Sequence, residues 1–156
     1  QGSVILPFVL VIALGALLGA ALLASALAQA QPMPRIELTA GFHRIEAEVA
    51  ANQAVRMQGL MQRRSLGANQ GMLFVFPVAD RHCMWMRNTL IPLSVAFIDE
   101  EGKILNIEEM KPQTENNHCA AAPARFALEM NKAWFASKGI GPGIRIGGLE
   151  NAPRPQ

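Results

Sequence analysis

Five consecutive residues, His82-Cys83-Met84-Trp85-Met86, gather an imidazole, a thiol, two thioethers and an indole. Read as a strand, alternate residues share a face. His82, Met84 and Met86 then line one side, with Cys83, Trp85 and Arg87 on the other. Thioether and imidazole ligands suit Cu(I), and an indole face can lie against a soft cation. A second pair, His118-Cys119, falls in a polar stretch. A bridge between Cys83 and Cys119 would bring both histidines together. His82, Met84, Met86 and His118 are therefore the candidate ligands of a Cu(I) site, the one cofactor this pattern suggests. If the thiols stay free, Cys83, Cys119, His82 and His118 form a zinc set instead. The plainer alternative is methionine as core filler beside surface histidines.

A second group is Arg56, Trp85, Met86, Asn88 and Glu129, polar or amphipathic residues inside apolar motifs. A buried arginine needs a carboxylate, so Arg56 is expected to pair with Glu129 or Asp99. In the structural alternative this pair pins a helix to a sheet and Asn88 caps a turn. In the functional one the group lines a small cleft for a carbohydrate, peptide or other envelope ligand, with Trp85 as a stacking wall. No spacing couples His82, His118, Asp99 or Glu129 into an acid–base pair. No residue is assigned a catalytic role, and a small hydrolytic enzyme is the weakest of the three readings.

The elements that must hold these groups are short. Ile36 and Leu38, then Ile45, Ala47 and Val49, alternate with polar residues, which predicts a strand pair turning at Ala40-Gly41. Asn52 is placed to cap a short helix to about Met61, its inner face formed by Ala54, Met57, Leu60 and Met61. Met72 to Phe76 is predicted to be a strand buried on both faces and stopped by Pro77. Cys83 to Arg87 and Ser94 to Ile98 read as strands, and Asp99 to Gly102 as a tight turn into Lys103 to Ile107. Met110 to Ala122 reads as loop. Arg125 to Met130 is a strand, Lys132 to Ser137 a short helix, and Ile144 to Ile146 a last strand. Such spacing predicts a mainly β domain, a compact antiparallel β-sandwich or jelly-roll-like barrel with one or two short helices.

The chain has 156 residues and a net charge of +2. Its arginines are scattered, with no basic block interleaved with aromatics, which argues against a nucleic-acid partner. Val4 to Ala28 is almost wholly apolar, and about 20 apolar residues suffice to cross a bilayer. The small residues Ala26, Ala28 and Ala30 suit signal-peptidase cleavage. Residues 1–30 are thus expected to be a signal peptide or, uncleaved, a membrane anchor through residues 4–28. Residues 31–34 read as linker, 35–150 as one β domain and 151–156 as a disordered tail. The body is expected in a periplasm, free or anchored to the inner membrane. In such an oxidising compartment, two cysteines predict a disulfide.

Several motifs fall in a fixed order: Arg56-x-x-Gly59-Leu60-Met61-x-Arg63; Gly71-Met72-Leu73-Phe74-x-Phe76; Trp85-Met86-x-Asn88-Thr89-x-Ile91-Pro92-Leu93; Phe97-Ile98-Asp99; and Leu128-Glu129. In this the chain resembles the uncharacterised domain-of-unknown-function family 192 (DUF 192) from about Ile36 to Leu149. The resemblance implies a compact, mostly β fold of jelly-roll type, often behind a signal peptide, with no established activity. One departure is local. Met84, after His82 and Cys83, stands where the family pattern usually has an aromatic, and the two cysteines are not part of the general pattern. The functional expectation is a non-catalytic ligand-binding or accessory module whose partner is an unknown small ligand or envelope component.

Overall fold

The structure is a computed structural model, and it describes residues 32–156. The expected signal or anchor segment lies outside the described residues. Residues Met33 to Gln156 form one compact unit. No helix among the described residues is long and apolar enough to cross a membrane.

Among the described residues, nine strands and two short α-helices follow in order: β1 (Arg35–Ala40), β2 (His43–Ala50), α1 (Gln53–Gln58), β3 (Gln70–Asp80), β4 (Cys83–Met84), β5 (Leu93–Ile98), β6 (Ile104–Met110), β7 (His118–Cys119), β8 (Ala124–Asn131), α2 (Trp134–Ser137) and β9 (Ile146–Gly147). Seven strands make one sheet in the order β6-β5-β8-β3-β2-β1-β9, and β4 with β7 makes a small second ladder. The large sheet curls into a half-barrel. Its two edges approach each other at one end. Residues 143–146 bond to the turn before β6 (Ile104 N–H to Ile144 O, 2.9 Å; Ile146 N–H to Gly102 O, 2.8 Å). The same stretch runs on as β9, which pairs with β1.

Of the expected β-sandwich or jelly-roll-like barrel, the mainly β class and a curled, half-barrel sheet are present, while a second full sheet is not: only the two-stranded β4–β7 ladder lies beside the large sheet. The sheet is also not wholly antiparallel, since β2 and β3 run parallel. A parallel step needs a crossover, and the connection from Ala51 to Asn69 supplies it with α1. That crossover lays α1 over one face of the sheet.

Each strand alternates between two apolar layers. Leu38, Ile45, Leu73, Val75, Leu128 and Phe135 belong to one. Met72, Phe74, Met86, Val95, Phe97 and Ala127 belong to the other. Gly71 is where β3 meets β8 most closely. A Cβ there would run into the Met130 sulphur and the Glu129 carbonyl.

Local expectations fared unevenly. The β1–β2 turn, the β5–β6 hairpin and the Asn52 cap are present, with Asn52 Oδ1 accepting from the Val55 N–H at 2.9 Å. Pro77 does not end β3, which continues to Asp80 with its pairing to β8 shifted after Val75. The predicted strand from Cys83 keeps only two residues. They pair with β7, hidden in what read as loop. On α1, Ala54 and Met57 face outward, because the helix ends before Leu60. The tail expected to fray is tied down at Gln156, whose N–H bonds to Ala51 O at 2.7 Å.

Candidate functional site

α1 ends at Gly59, whose φ of 50° lies in the left-handed region. A Cβ there would press on the Phe74 ring, so the chain turns tightly over β3 at this point. The two-stranded β4–β7 ladder forms a small sheet of its own. Its Cys83 and Cys119 are directly opposed and bridged by a disulfide, as expected. Lined by residues of α1 and by His82 to Trp85 lies a cavity of about 310 Å³.

The wall of this cavity is mostly apolar and includes Leu60, Phe74, Phe76 and Met84, while Arg56 and Trp85 also line it. Trp85 is 39% exposed. Its ring sits 5.7 Å from the guanidinium of Arg87, which in turn meets Glu115 at 3.4 Å. The neighbouring backbone is also fixed, with the Met86 N–H donating to Thr114 O at 3.0 Å.

Glu129 is the deepest polar lining group, at 3% exposed. It sits opposite Met72 on β3 and Val95 on β5, so apolar side chains flank it on both neighbouring strands. Its carboxyl has no hydrogen-bond or ion-pair partner among the described residues, and since none of their fully enclosed side-chain oxygens is left unpaired, it opens onto the cavity. Burial pushes that carboxyl up to about 8, since desolvation disfavours the charged form.

The expected partner of Glu129 is elsewhere engaged. Arg56 donates to Val75 O at 3.0 Å and to Gln156 O at 2.9 Å, and lies 3.4 Å from Gln53 Oε1. Asp99 is not its partner either. Asp99 instead accepts the Glu101 and Lys103 N–H groups inside its own turn. The expectation that Arg56 pairs with Glu129 or Asp99 is thus corrected: Arg56 is held instead by Val75 O, Gln156 O and Gln53 Oε1.

Three residues of the ligand-binding group, Arg56, Trp85 and Glu129, do line one cavity. The other two do not. Met86 is fully buried in the core. Asn88 takes a left-handed turn at φ 55°, and its backbone O accepts the Gln62 N–H at 2.9 Å, which ties the chain after α1 to the segment between β4 and β5.

The copper set is divided. His82 and Met84 line the cavity, and Met84 stands directly opposite His118. Met86 faces the core. His82 stacks on Phe76 at 3.8 Å, with Nε2 bonded to Val78 O at 2.8 Å. The zinc set is disassembled, because its two sulphurs are bonded to each other. Among the described residues no three His, Cys, Asp or Glu side chains converge on a metal position.

Sequence reasoning missed Met57 and Phe76 as lining residues. Met57 looked like an inner helix position, and Phe76 like one more core residue. The usable signal for Phe76 was its place beside Pro77, where an apolar run reaches the sheet rim.

Solved structures share this architecture. A protein of unknown function from Novosphingobium aromaticivorans matches with a TM-score of 0.72 and 32% identity, over 77% of this chain and 89% of that one. A protein from Sinorhizobium meliloti, provisionally named a transcription regulator, matches with a TM-score of 0.70 and 32% identity, over 77% and 98%. No curated protein matches the chain. The model of DUF192, an uncharacterized ACR, matches residues 36–148. The cavity between α1 and the disulfide-bridged β4–β7 ladder thus sits in a chain that belongs to the DUF192 family.

Proposed function

We propose that this domain binds a small organic ligand in the cavity between α1 and the β4–β7 ladder. The observation that carries this is Glu129. It is a carboxyl without a partner among the described residues, at the bottom of an apolar cavity that Arg56 and Trp85 also line. Buried polar groups are ordinarily satisfied, and a concave apolar site with a few converging polar groups is the usual form of a ligand pocket. A cavity of about 310 Å³ takes a single ring with a short side chain.

We further place the domain in the cell envelope as an exported module without catalytic residues. Support comes from the apolar sequence of residues 4–28 and from a disulfide, a bond at home in oxidising compartments.

Native mass spectrometry of the protein purified from a periplasm tests both parts. A bound small molecule that is lost in Trp85→Ala supports the pocket. Identical spectra for the two proteins, with no ligand retained by either, would refute it. Recovery of the protein only from cytoplasm would refute the envelope placement.

Cu(I) handling is a second reading, favoured by the Met84–His118 pair beside His82. Titration with Cu(I) decides it, and affinity no tighter than about micromolar would end it.

A further inference from the structure

We infer that the ligand is a monoamine in its protonated form, its ammonium against Glu129 and its apolar body among Phe74, Phe76 and Trp85. This rests on the pocket reading above and narrows it to a chemical class.

The argument begins with what the cavity lacks. A sugar carries many hydroxyls and needs many partners. Thr89 lines this cavity, yet its hydroxyl already donates to Arg87 O at 3.3 Å. Gln53 and Gln58 also line it, but only at its exposed rim on α1. Glu129 is therefore the one deep polar group without a partner among the described residues. An anion could take only the single O–H that a protonated Glu129 donates. It would find Arg56 already committed to Val75 and Gln156.

A cation gains where these lose. It meets a carboxyl that lacks a counter-charge, in a setting where a charge-assisted hydrogen bond is strong. It also meets aromatic faces. Phe74, Phe76 and Trp85 line the cavity, with His82 stacked on Phe76. Ring faces attract ammonium groups, most of all when desolvated.

The remaining charged or titratable lining groups are Arg56 on α1 and His82 before β4. Neither β3 nor β5 places a charge opposite Glu129, only Met72 and Val95. The Arg56 guanidinium disfavours a second ammonium, so the class is a monoamine rather than a polyamine.

Binding has a proton signature. In the empty cavity burial holds the carboxyl neutral at neutral pH, since it titrates only at about 8. An ammonium requires the carboxylate. On binding, the carboxyl O–H bond breaks and its proton leaves to buffer, while the amine keeps its own.

Isothermal titration tests this with three probes of one shape: phenethylamine, phenethyl alcohol and phenylacetate. Each is titrated near neutral pH in two buffers of different ionisation enthalpy. Phenethylamine is expected to bind at least tenfold tighter than the alcohol and to release most of one proton. Glu129→Gln, a neutral isostere that keeps the fold, should lose both the preference and the proton release. If the alcohol or the acid binds as tightly as the amine, or if Glu129→Gln changes nothing, the amine assignment is wrong and the pocket reading stands. If none of the three binds, both are wrong.

Discussion

Arg56 donates to the carbonyl oxygen of Val75 at 3.0 Å, and by doing so leaves Glu129 without a counter-ion. The helix is pinned to the sheet through backbone rather than through charge. Two functions that one ion pair would have merged are thus separated: Arg56 holds α1 in place, and Glu129 is free to meet what enters the cavity.

Glu129 makes stability fall towards alkaline pH. Its folded pKa is raised from 4.5 to about 8, so the folded state binds the extra proton between those values. Its contribution is complete in acid and declines by about 1.4 kcal/mol per pH unit as pH rises towards about 8. Urea unfolding across this range should show that decline in the wild type. Glu129→Gln should flatten it and be the more stable protein in mild alkali.

Glu48 acts with the opposite sign. A hydrogen bond from Arg63 holds its carboxyl below the ordinary value, and the two groups meet at 3.0 Å. That stabilisation is present above the ordinary carboxylate range and is lost as pH falls through the lowered value. Arg63 is 34% open to solvent, so the pair contributes at most about 1 kcal/mol. Glu48→Gln should lose that amount at neutral pH and unfold with a smaller acid-side drop than the wild type.

Trp85 and Met86 are neighbours with opposite expected outcomes. Met86 is fully buried, and Met86→Ala should cost about 2–5 kcal/mol by cavity formation. Trp85 is partly open, and Trp85→Ala should cost about 1 kcal/mol or less while removing ligand binding. Chemical denaturation and probe titration of both variants separate the two roles. Equal destabilisation would make Trp85 a core residue.

Removing the bridge should loosen one wall of the cavity. The Cys83–Cys119 bond spans 36 residues, worth about 3–4 kcal/mol in the chain-entropy model. The double variant Cys83→Ser with Cys119→Ser should melt lower by a corresponding amount. Hydrogen exchange should rise at residues 83–85 and 118–119, while β3 and β8 stay protected.

Some of this was legible in the residues. The alternation of Ile36 and Leu38 against Ile45, Ala47 and Val49 carried the first strand pair. Asn52 announced the helix start by its own hydrogen bond. The cysteine pair announced its bridge. The parallel step between β2 and β3 was not legible, because alternation says which face a residue takes and nothing about which strand lies beside it. β7 was hidden because a two-residue strand has no period to read. The Arg56–Glu129 expectation came from a sound rule, that buried charge seeks its opposite. It failed because backbone oxygens of Val75 and Gln156 were within reach, and backbone acceptors are invisible in side-chain patterns. Glu129 itself could have been singled out further, since a lone carboxylate in Ala127-Leu128-Glu129-Met130 interrupts a run that is otherwise wholly apolar.

The place of β8 in the sheet sets an order of events. It lies between β3 and β5, yet follows both in the chain by a long interval. Until residues 124–131 arrive, each of those apolar strands has one naked edge, the template on which chains of this kind stick to one another. The insertion of β8 closes both edges at once, and the same event brings Glu129 to its place. A nascent chain of this protein therefore has neither a finished sheet nor a binding site until its last long strand is in hand. Pairings so distant along the chain form slowly, which makes the interval before that strand docks the period in which the protein most needs a chaperone.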